Sequence, residues 1–259
     1  GLLCVGARCV SPDDLLPPDV EDDIASDRPA ATARHLFALS TDSDSVAIID
    51  AVSLAIEAVE VPAGPVALAV IPAREEALVL SRTGRAVTRL SLSSGELVVS
   101  TTRLTRRYSR ITVSPDARWA VLWTSASERP DEGTEGLVTL VSLEPDEGTG
   151  PPIELAAGYR HTDVLFRTRG GRSERALIVG KDEVVIIDLD DVAAPAPPRV
   201  RLPDAFADVA SREVVTDPSG VFILFRSVGT PELAALSVDT ATVSRIVLPA
   251  VATDLDIVR

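Results

Sequence analysis

From residue 34 onwards, short apolar and β-branched runs recur between polar turn segments, and helix signals are almost absent. The runs Val66–Ile71, Ala77–Leu80, Ala86–Leu92 and Glu96–Thr101 are rich in Val, Leu and Thr. Ala-Arg-Glu-Glu, Arg-Thr-Gly-Arg and Ser-Ser-Gly-Glu separate them, and segments of that kind turn a chain rather than extend it. The same order recurs at Arg110–Ser114, Trp119–Thr124, Leu137–Leu143 and Ile153–Leu155. It returns at Thr162–Arg167, Arg175–Val179, Glu183–Leu189 and Arg199–Leu202, and once more at Arg212–Thr216, Val221–Arg226, Glu232–Val238 and Val243–Leu248.

The turn after the first strand falls at Pro72, Pro115, Arg169 and Pro218, steps of 43, 54 and 49 residues, close to a repeating unit of about 40–50. Four short strands at that period predict an all-β chain, a β-propeller of four-stranded antiparallel blades. An isolated blade cannot bury both of its faces, so neighbours must stack. At the N-terminal end His35–Ser40, Val46–Asp50 and Ile56–Val61 supply only three strands. At the other end Thr253–Val258 is one strand without a blade. Five blades closed by pairing of that strand with the N-terminal blade is the favoured arrangement, since closure removes open edges. An arc of a six- to eight-bladed ring is the rival.

Two segments carry a family resemblance. Ser45-Val-Ala-Ile-Ile-Asp50, continuing to Val61-Pro-Ala-Gly-Pro65 and Val66-Ala-Leu-Ala-Val-Ile-Pro72, resembles the repeat of the YVTN-type, lactonase-like bacterial β-propellers. Ile111-Thr-Val-Ser-Pro-Asp116-Ala-Arg118 is similar to the family's Ser-Pro-Asp-Gly-Arg turn, with Ala117 in place of the glycine. Later units depart from it: Thr168-Arg-Gly-Gly-Arg172 replaces the turn altogether. The resemblance implies a propeller across residues 34–259 and no particular activity.

Composition narrows the partners. With 39 Asp and Glu against 25 Lys and Arg, the chain carries a net charge of −14, which disfavours a nucleic-acid partner. No apolar stretch is long enough for a transmembrane helix. The absence of Asn, Gln and Met, with abundant Ala, Val, Arg, Asp and Pro, suggests a GC-rich bacterial coding sequence. Residues 1–10 form a short knob in which Cys4 and Cys9 have the spacing of a hairpin disulfide, with two free thiols as the alternative. A disulfide there implies an extracytoplasmic location: periplasmic, cell-surface or secreted. Residues 11–33 combine Pro12, Pro17, Pro18 and Pro29 with seven acidic residues, a composition that predicts an extended linker.

Chemistry is expected where the loops between second and third strands meet the connections between blades, at the mouth of the central channel. Those segments hold Tyr108, Arg110, Tyr159, Arg160, His161, Asp163, Arg212 and Glu213, the candidate ligand-binding residues. No catalytic residue is assigned: the nucleophile-elbow, phosphate-loop and zinc-protease motifs are missing. Neither a cofactor nor a metal is expected, because the acidic turns at Asp42–Asp44 and Asp188–Asp191 lack the glycine and distal glutamate of a calcium loop. The favoured function is a monomeric, non-enzymatic platform for a protein or cell-surface component. The alternative is a lactonase-like hydrolase, which requires Arg110, His161, Asp163 and Glu213 to converge on one site.

Overall fold

In the computed structural model the repeated pattern becomes five four-stranded antiparallel sheets, each a simple meander. The described residues are 29–92, 95–128, 135–144, 151–192, 196–217, 220–253 and 255, with the backbone of 3–5 and 8–10. A two-stranded hairpin of β1 (Leu3–Val5) and β2 (Arg8–Val10) comes first and sets Cys4 opposite Cys9. Their side chains, and hence the expected disulfide, lie outside the described residues, as do residues 11–28 of the expected linker.

Sheet one contains β3 (Ala30–Ala31), β4 (His35–Ser40), β5 (Ser45–Asp50) and β6 (Ile56–Glu60). Sheet two is β7 (Pro65–Ile71), β8 (Glu76–Ser81), β9 (Ala86–Ser91) and β10 (Val98–Arg103). Sheet three is β11 (Arg110–Val113), β12 (Trp119–Trp123), β13 (Leu137–Ser142) and β14 (Ile153–Ala156). Sheet four is β15 (Asp163–Arg169), β16 (Arg172–Val179), β17 (Glu183–Asp188) and β18 (Arg199–Arg201). Sheet five is β19 (Arg212–Thr216), β20 (Phe222–Ser227), β21 (Glu232–Ser237) and β22 (Thr242–Val247).

The sheets stack because strand alternation sends successive side chains to opposite faces. In β8, Ala77 and Val79 join Phe37, Leu39, Val46 and Ile48 of sheet one, while Leu78 and Leu80 join Ala120 and Leu122 of sheet three. From β12, Val121 and Trp123 turn the other way, onto Ala176 and Ile178 of sheet four. Leu177 and Val179 of β16 then pack on Ile223 and Phe225 of sheet five. Each consecutive pair of sheets thus shares one buried core. Among the described residues no such cluster joins sheet five to sheet one, and Leu36, Ala38, Ala47 and Ile49 on the free face of sheet one are only half-buried.

The expected first strand of sheet one is different. Ala30–Ala31, placed in the linker by the sequence, pairs with Phe37 and Leu36 and takes the position beside β4. The expected clasp strand, 253–258, falls mostly outside the described residues.

One end of the sheets, carrying the turns between first and second strands and between third and fourth, is tied together by charge. His35 Nδ1 lies 2.9 Å from Glu75 Oε2 across sheets one and two, and Thr32 Oγ1 donates to the same carboxylate oxygen. Arg74 Nη1 donates to the Leu143 carbonyl across sheets two and three. Between sheets three and four, the Ser173 amide donates to Asp116 Oδ2, and Arg118 reaches Asp190. Arg167, 4% exposed, joins Glu174 of its own sheet to Asp239 of sheet five. The Ser-Pro-Asp-Ala-Arg turn shows its logic here: Ser114 Oγ donates to Asp116 Oδ1, and Ala117 has φ 56°, the left-handed conformation that glycine would adopt without strain. We call this end the tied face.

Candidate functional site

The opposite end, the mouth face, is built from the hairpin turns between second and third strands and from the connections between sheets. Two contacts bring the elongated turn 124–136 against the connection 157–162. Ser125 bridges His161 in parallel register, with the Ala126 amide donating to the His161 carbonyl, and the Ala157 amide donates to the Gly136 carbonyl. Gly136 and Gly158 both have positive φ, and a Cβ on Gly136 would lie 2.6 Å from the Gly158 carbonyl oxygen. The close approach therefore requires glycine at that point.

His161 is the pin of this connection. It is 2% exposed, and its Nε2 donates to the Ala157 carbonyl at 3.2 Å. Burial pushes its pKa below the ordinary histidine value, with the backbone hydrogen bonds to Ala157 and Gly158 opposing that shift. The ring is accordingly neutral at pH 7 and holds the loop in place. A cavity of about 20 Å³ beside it, lined by Thr124, Gly136 and Tyr159 among others, has the volume for a single water.

Next to it lies a larger groove of about 560 Å³. Ala126 and Ser127 of sheet three's turn, Arg160 of the connection, Lys181 of sheet four's hairpin and residues Ala207–Ala210 of the connection to sheet five line it. Arg160, at φ 53°, donates from Nη2 to the Ala126 carbonyl. Among the described residues Lys181 is anchored through its backbone, its amide donating to the Tyr159 carbonyl. Asp208 is the one carboxylate in the lining, and it accepts from the Ala210 amide and the Ser211 hydroxyl.

Arg212 supports this groove from behind. Its guanidinium donates to the carbonyls of Lys181, Phe206 and Gly180 and to Thr162 Oγ1, and it stands over the Phe225 ring at 5.9 Å. Burial lowers its pKa, and the charge of Asp163 opposes that effect.

The eight expected ligand-binding residues thus divide. Arg160 lines the groove, and Tyr159, half-exposed, lines the small cavity. His161 and Arg212 frame the site from within. Tyr108 is not at the mouth surface at all: it is 1% exposed in the core between sheets two and three, where its hydroxyl meets Thr139 Oγ1 at 2.7 Å. Its apolar ring was drawn into the core and its hydroxyl found a partner there, so the expected equivalence with Tyr159 does not hold. Arg110 pairs with Glu128, which also faces Arg82, and Glu213 accepts from Arg226 Nε at 2.7 Å.

Arg110, His161, Asp163 and Glu213 therefore answer to separate neighbours rather than to one another. Lys181 and the Ala207–Ala210 wall were missed by the sequence reading. The signal available was that Lys181 is the chain's single lysine and occupies a hairpin on the expected face. Among the described residues no cluster of His, Cys, Asp and Glu has metal-ligating geometry, and Asp188 instead accepts from the Asp190 and Asp191 amides.

No family model and no curated protein matches the chain. Solved structures do. Hydrazine synthase of Kuenenia stuttgartiensis aligns with a TM-score of 0.56 at 17% identity, over 89% of this chain and 68% of that one. Hsv2 of Kluyveromyces lactis aligns at 0.54 with 14% identity, over 83% and 62%. A 6-phosphogluconolactonase-like protein of Bacteroides fragilis aligns at 0.53 with 11% identity, over 85% and 69%. The chain spans roughly two-thirds of each. At such identities the likeness establishes the β-propeller fold, shared by proteins of unrelated function.

Proposed function

We propose that this chain is an extracytoplasmic, non-enzymatic binding platform of the YVTN-type propellers, engaging a protein or cell-surface component through its mouth face. One observation carries the reading: the mouth offers a 560 Å³ groove shaped by three consecutive sheets, while the groups a hydrolase would need are bonded to separate partners outside it. A general acid or base must reach its substrate, and a buried His161 bonded to Ala157 does not.

The test pairs binding with turnover. The labelled full chain is titrated onto bacterial envelope preparations, and aliphatic and sugar lactones are assayed in parallel. The platform reading expects saturable binding that a bulky Ser127→Trp substitution abolishes, with lactone hydrolysis at the buffer rate. Hydrolysis that His161→Ala removes, without saturable binding, would overturn it.

A further inference from the structure

The mouth groove has a charge opposite to that of the molecule around it. The chain carries −14, yet among the described residues the groove lining presents Arg160 and Lys181 against the single carboxylate of Asp208. Among the described residues neither cation has a carboxylate in salt-bridge contact. Arg160 spends one Nη on the Ala126 carbonyl, which leaves the rest of its fork for an incoming oxygen pair. Behind the wall, the Arg212 guanidinium is satisfied by carbonyls and a hydroxyl, so its charge is not cancelled by contact.

Of the described acids nearby, Glu135 lines the adjoining small cavity with Arg160, and the others are engaged or displaced. Glu128 serves Arg82 and Arg110, Asp163 faces Arg212, Asp208 caps the turn at Ala210 and Ser211, and Asp182 follows Lys181 in the hairpin without lining the groove. On the tied face, by contrast, Arg118, Arg167 and Arg172 each find a carboxylate.

We propose that the groove is a carboxylate receptor, reading an acidic side chain of the partner between Arg160 and Lys181. This deepens the platform reading and rests on it for the nature of the partner. A field focused in a concave, cation-lined site draws an anion despite the molecule's net charge. Because both cations are exposed, each single contact is modest and binding weakens as salt rises.

The experiment is calorimetric titration of the full chain with two probes, a capped hexaglutamate peptide and free glutarate, at low and at high salt. The expected result is one-to-one peptide binding that weakens about tenfold in Arg160→Ala and again in Lys181→Ala, since a charge-assisted hydrogen bond is commonly worth about one decade in affinity. Arg169→Ala, which removes an equal charge from the exposed side of the tied face, leaves the affinity unchanged. Far-ultraviolet circular dichroism melts show that each variant folds.

Binding of glutarate alone, with the same dependence on Arg160 and Lys181, would uphold the receptor and overturn the acidic-partner assignment. Absence of saturable binding at low salt, or equal weakening by Arg169→Ala, would overturn the receptor itself. Envelope binding that survives in Arg160→Ala/Lys181→Ala would sink this inference and leave the platform reading standing. Loss of envelope binding in the native chain, with glutarate still bound, would do the reverse.

Discussion

The tied face and the mouth groove use their central arginines in opposite ways. On the tied face guanidinium groups meet carboxylates across sheet boundaries: Arg118 with Glu144 and Asp190, Arg167 with Glu174 and Asp239, Arg172 with Asp190. Around the mouth groove two of them meet backbone carbonyls instead, Arg160 that of Ala126 and Arg212 three, although elsewhere on that face Arg82 and Arg110 pair with Glu128 and Arg199 with Glu183. A carbonyl satisfies the donor without neutralising the cation. The comparison teaches that one residue type can close one face and leave the other charged, depending on whether its acceptor carries a full negative charge.

The largest effect that would break this comparison is expected at Arg167. It is nearly inaccessible and serves two carboxylates in two sheets. Arg167→Ala leaves Glu174 only Arg169 at 3.6 Å and Asp239 only Arg175 at 3.8 Å; because both acids also keep some solvent, the loss is expected at about 2–3 kcal/mol, below the range for a fully buried pair. Denaturant melts measure it, and a change within experimental error would mean the sheet-four to sheet-five boundary does not depend on this ion pair.

Acid should act on the same face. Burial raises the pKa of Glu75, but hydrogen bonds from Thr32 and His35 outweigh it and hold the group below the ordinary value. Asp116 is likewise held low, its burial overcome by the Ser114 hydroxyl and the Ser173 amide; the hydrogen bond from Arg172 lowers Asp190. A carboxylate depressed in the folded state contributes stability above its unfolded pKa and loses it as pH falls through the folded one. The melting temperature should therefore hold near neutrality and decline from about pH 4.5 downwards, the ordinary Glu and Asp range. Glu75→Gln should flatten part of that decline. A melting temperature that rises on acidification would contradict the assignment.

A smaller effect is expected in the core beneath the mouth. Tyr108→Phe removes the hydroxyl that bonds Thr139 and strands a buried partner, at about 1–2 kcal/mol. Unchanged stability would show the pair to be replaceable by repacking. The smallest is expected at the mouth surface, where Arg160→Ala and Lys181→Ala should each shift stability by less than about 0.5 kcal/mol. A larger loss would make these cations structural and weaken their reading as ligand contacts.

The strand pattern was legible to within three residues at the strand ends, because a buried core on each side makes the middle of β8, β12 and the second half of β16 continuously apolar runs. β3 escaped notice for a physical reason. It is two alanines after a proline, without the β-branched residues or the alternation that mark a strand, and it forms only because β4 has an unpaired edge beside it. The mouth face was legible as a place, since loop order assigns each turn to one end. Its contents were not. Whether Tyr108 turns inward, whether Arg110 is claimed by Glu128 and whether Lys181 is left unclaimed are decided by contacts between residues in different turns. No local pattern records them.

The central claim is that the tied face holds the sheets together while the mouth face is kept open for a carboxylate. The most direct test measures melting temperature and hexaglutamate affinity side by side for Arg160→Ala/Lys181→Ala and for Arg118→Ala/Arg172→Ala. The account predicts that the first pair loses binding and keeps its melt, and that the second loses stability and keeps its binding. Matching losses in both pairs, or binding lost in the second alone, would contradict it.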